Sequence, residues 1–278
     1  MQIKTNNLGH IYDIKTDNEF TALKNVNLQI DQGEFIAVIG HTGSGKTTLI
    51  EHLNGLLRPT SGEIHADEII IKAKKRKIKK IMSIRKRIGV VFQFAEYQLF
   101  EETILKDIVF GPINMGATKE EAHKLAEKYI ELVGLPLEYL KRSPFSLSGG
   151  QKRRVALAGI LAMEPDVLIF DQPTAGLDPQ GCIDMYEIFQ KLNKEGRTII
   201  VVTHDLDQVL KNTKRTIILS EGKIVSDGKT IDVMYDIEKI LKNDLEPAQI
   251  VNIVTEIESM SKIKIGKIKN IDELVSKL

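Results

Sequence analysis

The sequence predicts an α/β fold: a parallel-sheet core covered by helices, interrupted by a helical insertion and closed by a helical tail. Three observations predict it. Short runs apolar on both faces, Phe35 to Ile39, Val167 to Phe170 and Thr198 to Thr203, alternate with helical stretches, as strands buried from both sides do. The first of these runs ends in a glycine-rich loop that opens a helix. Residues 94–165 carry helical periodicity without an intervening strand run.

Taken in order, Phe35 to Ile39 is a continuous apolar run ending at Gly40, and Thr47 to Leu57 reads as the helix that follows. Within the insertion, Ala122, Leu125, Ala126, Tyr129, Ile130 and Val133 recur at helical spacing over Lys119 to Val133, and Gly149 to Met163 is a second helix. Val167 to Phe170 and Thr198 to Thr203 return the chain to the sheet. Arg215 to Ser220 and Lys223 to Ser226, separated by Gly222, read as a hairpin. After Asp232 the pattern is again mostly helical. The expected organisation is a sheet core carrying the glycine-rich loop over 1–93, a helical subdomain over 94–165, the remainder of the core over 166–231, and a C-terminal helical segment over 232–278.

The chain has 278 residues, 42% hydrophobic and 28% charged, which is ordinary for a globular protein with ample core. Its longest apolar stretch, Val155 to Met163, is too short to span a membrane. The N-terminus (Met1-Gln2-Ile3-Lys4) lacks an apolar signal core, so a cytoplasmic setting is expected. A single cysteine, Cys182, excludes an internal disulfide or a cysteine metal cluster and reads as a small packing residue. The net charge of +1 hides a run of ten Lys and Arg between Lys72 and Arg87 with no acid among them. That run fits either a solvated face or contact with an anionic surface, lipid or nucleic acid.

The loop Gly40-His41-Thr42-Gly43-Ser44-Gly45-Lys46-Thr47 has the residue pattern of a phosphate cradle, and its strand–loop–helix context supports that reading. Glycines let the backbone curl so that N–H groups face phosphate oxygens, and the helix N-terminus adds partial positive charge. Lys46 suits the β- and γ-phosphates and the Thr47 hydroxyl suits Mg²⁺. Asp171 ends a buried strand at the sheet's carboxyl edge, where it could share that Mg²⁺. Leu147-Ser148-Gly149-Gly150-Gln151 is a second helix N-terminus with anion-binding character, although Ser-Gly-Gly alone is often a turn and cap. One ATP does not easily use both helix ends of one chain, so the second end is expected to serve ATP held by a neighbouring subunit.

These motifs together resemble the nucleotide-binding subunit of ATP-binding cassette (ABC) proteins, over nearly all of residues 1–230. The resemblance implies a P-loop ATPase fold with an antiparallel N-terminal β part, ATP and Mg²⁺ as cofactors, and nucleotide contacts from Gly40 through Thr48. It implies that Gln93 senses Mg²⁺ and the γ-phosphate, that Tyr12 stacks on adenine, and that His204 contacts the γ-phosphate. Ala175 to Asp178 would cross the dimer interface. Tyr12 as a core aromatic and His204 as a structural residue are the plain alternatives. More narrowly, Phe92-Gln93-Phe94, Glu96 to Thr103 and Gln151 to Gly159 are similar to energy-coupling-factor (ECF) importer ATPases, the second of the two in that group; Ala95 departs from the proline common there. That implies a peripheral protein at the cytoplasmic face of the membrane. Its partners would be a sister ATPase, a transmembrane coupling protein and a small substrate-binding membrane protein, and its C-terminal segment would dimerise. A soluble ABC ATPase acting on nucleic acid or ribosomes is the alternative.

One position departs from the pattern. Where the family carries a glutamate that polarises the attacking water, this chain has Gln172. An amide cannot accept a proton at neutral pH, so hydrolysis is expected to be arrested while binding survives. Two origins fit: a substituted, arrested form of an ordinary ATPase, favoured by the completeness of every other motif, or a naturally degenerate subunit.

Overall fold

The computed structural model describes residues 1–73, 80–261 and 263–277. Strands β1 (Ile3–Tyr12) and β2 (Phe20–Ile30) precede β3 (Phe35–Ile39) and helix α1 (Lys46–Leu53). β4 (Ser61–Ala66), β5 (Ile69–Lys72), α2 (Ile81–Arg87) and β6 (Ile88–Val91) follow. Next come α3 (Ile104–Asn114), α4 (Lys119–Leu132) and α5 (Gly149–Leu161). The core resumes with β7 (Val167–Asp171), α6 (Pro179–Lys194), β8 (Thr198–Val202), α7 (Leu206–Asn212), β9 (Arg215–Ser220) and β10 (Lys223–Lys229). α8 (Thr230–Met234), α9 (Ile237–Lys242), α10 (Gln249–Ser261) and α11 (Ile271–Val275) end the chain.

A four-stranded antiparallel sheet, ordered β2-β1-β4-β5, packs beside a six-stranded sheet ordered β10-β9-β3-β8-β7-β6. β9-β3-β8-β7-β6 run parallel, and β10 closes the edge as the antiparallel arm of a hairpin. The parallel strands are apolar on both faces because both faces are covered. Along β3, Ile36 and Val38 join a core shared with α1 and the antiparallel sheet. Phe35 faces the helical insertion, and Ala37 and Ile39 face α7 and the C-terminal helices.

The helical insertion packs α3, α4 and α5 together on that second side. Ala122, Ala126, Tyr129, Ile130 and Val133 are buried, and Leu125 is partly so, which makes α4's 3.6-residue stripe the packed face. Thr118 and Glu121 cap α4 reciprocally. The C-terminal segment buries Ile250, Val251 and Val254 of α10 against α7 to α9, leaving Ile253 and Met260 exposed.

Three expected elements shift. The helix expected over 47–57 ends at Leu53, because Gly55 adopts φ 70 and the Leu56 and Leu57 amides turn back onto the Glu51 carbonyl. α5 stops at Leu161, two residues early, where Glu164 enters the left-handed region. Past Ser261 the tail has no helix over 263–270. Within the basic run, residues 74–79 lie outside the described residues. Lys72 pairs with Glu63 at 3.0 Å, and Arg87 with Asp67 at 2.8 Å and Asp166 at 2.6 Å, so part of the run's charge is neutralised internally.

Candidate functional site

Sheet order assembles the site. With β3, β8, β7 and β6 parallel and adjacent, their carboxyl ends deliver the 40–47 loop, His204, Asp171-Gln172 and Gln93 along one edge. Val202 lies opposite both Val38 and Asp171 in register, so these chain exits are neighbours. Ligands of open α/β sheets bind at that edge.

The loop closes around its own lysine. Lys46 Nζ donates to the carbonyls of Gly40 at 2.7 Å and His41 at 2.8 Å, and reaches Ser44 Oγ at 3.4 Å. A Cβ on Gly40 would lie 2.1 Å from the Leu219 carbonyl oxygen, so the curl requires glycine there. Gly45 precedes α1 without a side-chain cap, and no acid occupies the first turn. The helix therefore keeps its N-terminal amides for an anion.

Thr47 Oγ1 donates to Asp171 Oδ2 at 3.2 Å, bringing together the hydroxyl and carboxylate expected to share a cation. Burial holds the Lys46 ammonium below its ordinary pKa, partly offset by Asp171. Burial raises the Asp171 carboxyl, with the Thr47 hydrogen bond and Lys46 opposing. Glu51, one turn along α1, is also raised, first by burial and then by Asp171. A buried carboxylate beside a hydroxyl is an oxygen donor set that fits a hard divalent cation.

Gln172 follows Asp171 at φ 51, in the left-handed region, with its amide donating to the Val202 carbonyl at 2.8 Å. Gln93 and His204 are both exposed at the same edge. Tyr12 lies beside α1, its hydroxyl 3.3 Å from Thr48 Oγ1. His10 and His52 stack edge-on behind it, with centroids 4.4 Å from His10 to Tyr12 and 4.6 Å from His10 to His52.

Sequence reasoning overlooked those histidines, since neither belongs to a motif. His52 is fully buried, its Nδ1 2.6 Å from the Thr48 carbonyl, and burial lowers its pKa to about 4. The unfolded chain protonates this imidazole near 6.5 while the folded state holds it neutral to about 4. This contribution is therefore complete above pH 6.5 and is lost as pH falls towards 4, by ~3 kcal/mol in all. Urea unfolding from pH 7 to 4.5 should show His52→Gln losing less stability on acidification than the parent; parallel profiles would remove His52 as the cause.

Ser148, Gly149 and Gly150 are exposed at the start of α5. Ser148 and Gln151 form a reciprocal capping box, Gln151 N to Ser148 Oγ at 3.4 Å and Ser148 N to Gln151 Oε1 at 3.1 Å. A Cβ on Gly149 or Gly150 would meet nothing within 4 Å, so the fold itself makes no packing demand for glycine at either position. Asp178 caps α6 through the Gly181 amide at 2.9 Å and is exposed. A further pair escaped sequence reasoning: Arg153 and Glu96, 57 residues apart, form a salt bridge at 3.1 Å with little exposure. No local spacing signals it.

Uncapped loop, paired Thr47 and Asp171, and an outward-facing second helix end define a nucleotide-binding cassette, and comparison with known proteins agrees. Residues 23–175 match the ABC transporter family model. Energy-coupling factor transporter ATP-binding protein EcfA2 of Mycoplasma mobile is 52% identical, covering 100% of this chain and 96% of that protein. Its namesake in Clostridium perfringens is 52% identical over 93% of this chain and 90% of the relative. Among solved structures, cbiO1 of Clostridium perfringens, part of the ABC transporter complex cbiONQ, superposes with TM-score 0.74 at 36% identity, covering 91% of this chain and 98% of that one. The cassette MJ0796, solved as a dimer bound to ADP and Pi, gives 0.73 at 33% identity over 82% and 98%. The chain belongs to the ABC transporter family, in its branch of energy-coupling factor transporter ATP-binding proteins.

Proposed function

We propose that this chain is the ATP-binding motor subunit of a membrane importer of the energy-coupling-factor kind, for vitamins or metal ions, and that Gln172 arrests hydrolysis at its own site. The observation that carries the reading is the Thr47–Asp171 contact beside Lys46 and the uncapped start of α1. Gly40 through Thr48 would hold the phosphates and Tyr12 the adenine. Thr47, Asp171 and Gln93 would hold Mg²⁺, which would supply positive charge to the phosphate oxygens. His204 would meet the γ-phosphate. Asp178 lies at the start of α6, where a partner could approach.

ATP bound here would be closed over by the partner's helix end, while Ser148 to Gln151 of this chain close over the partner's ATP. The unneeded glycines at 149 and 150 support close approach from outside. A membrane partner is supported by an apolar groove between α2, α3 and α5, lined by Met82, Leu99, Phe100, Phe110, Ile160 and Met163. Phe100 and Phe110 are about half exposed there and packed edge-on at 5.0 Å. No helix among the described residues is long and apolar enough to cross a membrane, so the groove would dock a transmembrane coupling protein at the cytoplasmic face. A sister ATPase and a small substrate-binding membrane protein complete the set.

A gentle detergent pull-down of the tagged chain from native membranes, with ATP and Mg²⁺, tests this. Recovery of a second ATPase with one large and one small hydrophobic protein is expected. Ribosomal proteins or nucleic acid without a membrane protein would overturn the reading.

A further inference from the structure

Arg153 is among the few charged side chains buried among the described residues, at 6% exposure, and it joins its own helix to two other segments. It projects from the second turn of α5, the helix that begins at Ser148. Its guanidinium forks onto Glu96, with Nε to Oε2 and Nη2 to Oε1 both at 3.1 Å. Nη1 points the other way and donates to the carbonyls of Ala175 at 2.6 Å and Pro173 at 3.3 Å. Glu96 lies in a single 3-10 turn, Ala95–Gln98, three residues past Gln93, and this turn leads directly into Leu99 and Phe100 on the groove wall. Pro173 and Ala175 follow Gln172 on the way to Asp178. Arg153, Gln172, Pro173, Phe92 and Phe94 also line one small cavity, so no other layer separates these groups.

We propose that Arg153 is a positioning residue that ties occupancy of the groove to the placement of the 172–178 turn, and so of Gln172 and Asp178. The inference rests on the groove being the docking surface for the membrane partner. A guanidinium is planar, with donors in a fixed fork, so it moves with the carboxylate it grips and cannot keep all four bonds if either side shifts alone. A buried charge is costly to leave unpaired, so Arg153 follows Glu96 when a docked partner moves the 95–100 segment. The receiving turn is suited to respond. Gln172 holds φ 51, a conformation a non-glycine residue keeps only where its surroundings impose it, and the Pro173 and Ala175 carbonyls are part of those surroundings.

A purely structural clamp between α5 and the 95–98 turn predicts something different, and a charge swap separates the two. E96R combined with R153E restores an ion pair across that junction but leaves no donor for the Pro173 and Ala175 carbonyls. Hydrogen exchange is the readout, in the full complex reconstituted in vesicles and in the free chain. The amides of Gln172, Ala175 and Leu177, bonded to Val202, Gln172 and Thr174 carbonyls, report on the turn. Assembly of the parent complex should slow exchange of the 172–178 peptide by roughly 5-fold or more, the lower end for coupled sites. In Arg153→Lys and in the charge swap, assembly should still protect 95–100 and 155–163 but leave 172–178 within about 2-fold of the free chain. Parent-like protection of 172–178 in the charge swap overturns the inference, as does a parent complex that protects the groove and leaves the turn unchanged. Failure of the parent chain to assemble overturns the docking reading itself, and the inference with it.

Discussion

Gln172→Glu should raise steady ATP turnover by ~10²–10⁴, the usual worth of a positioned general base. Position 172 follows Asp171 at the sheet edge and is anchored through its own amide to Val202, so a glutamate there inherits a fixed backbone. A carboxylate there can accept a proton from water, which an amide cannot do at neutral pH. Glutamine is nearly isosteric with glutamate, so the exchange perturbs packing little. Lys46, Thr47 and the loop are untouched, so affinity for a non-hydrolysable ATP analogue should change little. Phosphate release from the assembled complex is the measurement. Unchanged, negligible turnover in a correctly assembled complex would reject position 172 as the site of the base.

Gly45→Ala should both destabilise the fold and disable the nucleotide loop. Gly45 sits at φ 102, outside the basins open to alanine, and an added Cβ would lie 2.5 Å from the Ala22 carbonyl oxygen and 3.1 Å from Leu23 Cδ2. The first contact is with backbone of β2, which cannot step aside without moving the strand. Left-handed strain of ~1–2 kcal/mol and overpacking of a further ~1–3 kcal/mol give a destabilisation of about 3 kcal/mol. The same shift would swing the α1 amides away from the phosphates. Thermal unfolding should therefore show a lowered Tm and the loss of the stabilisation that ATP gives the parent. A variant with parent-like ATP stabilisation would mean the loop relaxes elsewhere.

Gln172 is visible as a departure without the fold, because the motifs around it resemble a family that carries a glutamate after the strand-end aspartate. The penalty at Gly45 is not: sequence calls for glycine in the loop, but only the fold brings Ala22 against it. Likewise the buried stripe of α4 could be read from spacing, whereas the end of α1 at Leu53 depended on how Gly55 to Leu57 turn back.

Resemblance to ABC proteins marked Gln172 as a departure; by itself the sequence determined a parallel α/β core with a phosphate-loop pattern, an acidic strand end and a second glycine-led helix. Those features are local, written in runs of a few residues whose periodicity and turn chemistry need no distant partner. Tertiary structure alone decided that Thr47 meets Asp171 across 124 residues, that His10 and His52 back Tyr12, and that Arg153 joins Glu96 to the turn beyond Gln172. Contacts of that kind arise from strand order and helix packing, where residues far apart in the chain are set side by side by burial rather than by any spacing between them.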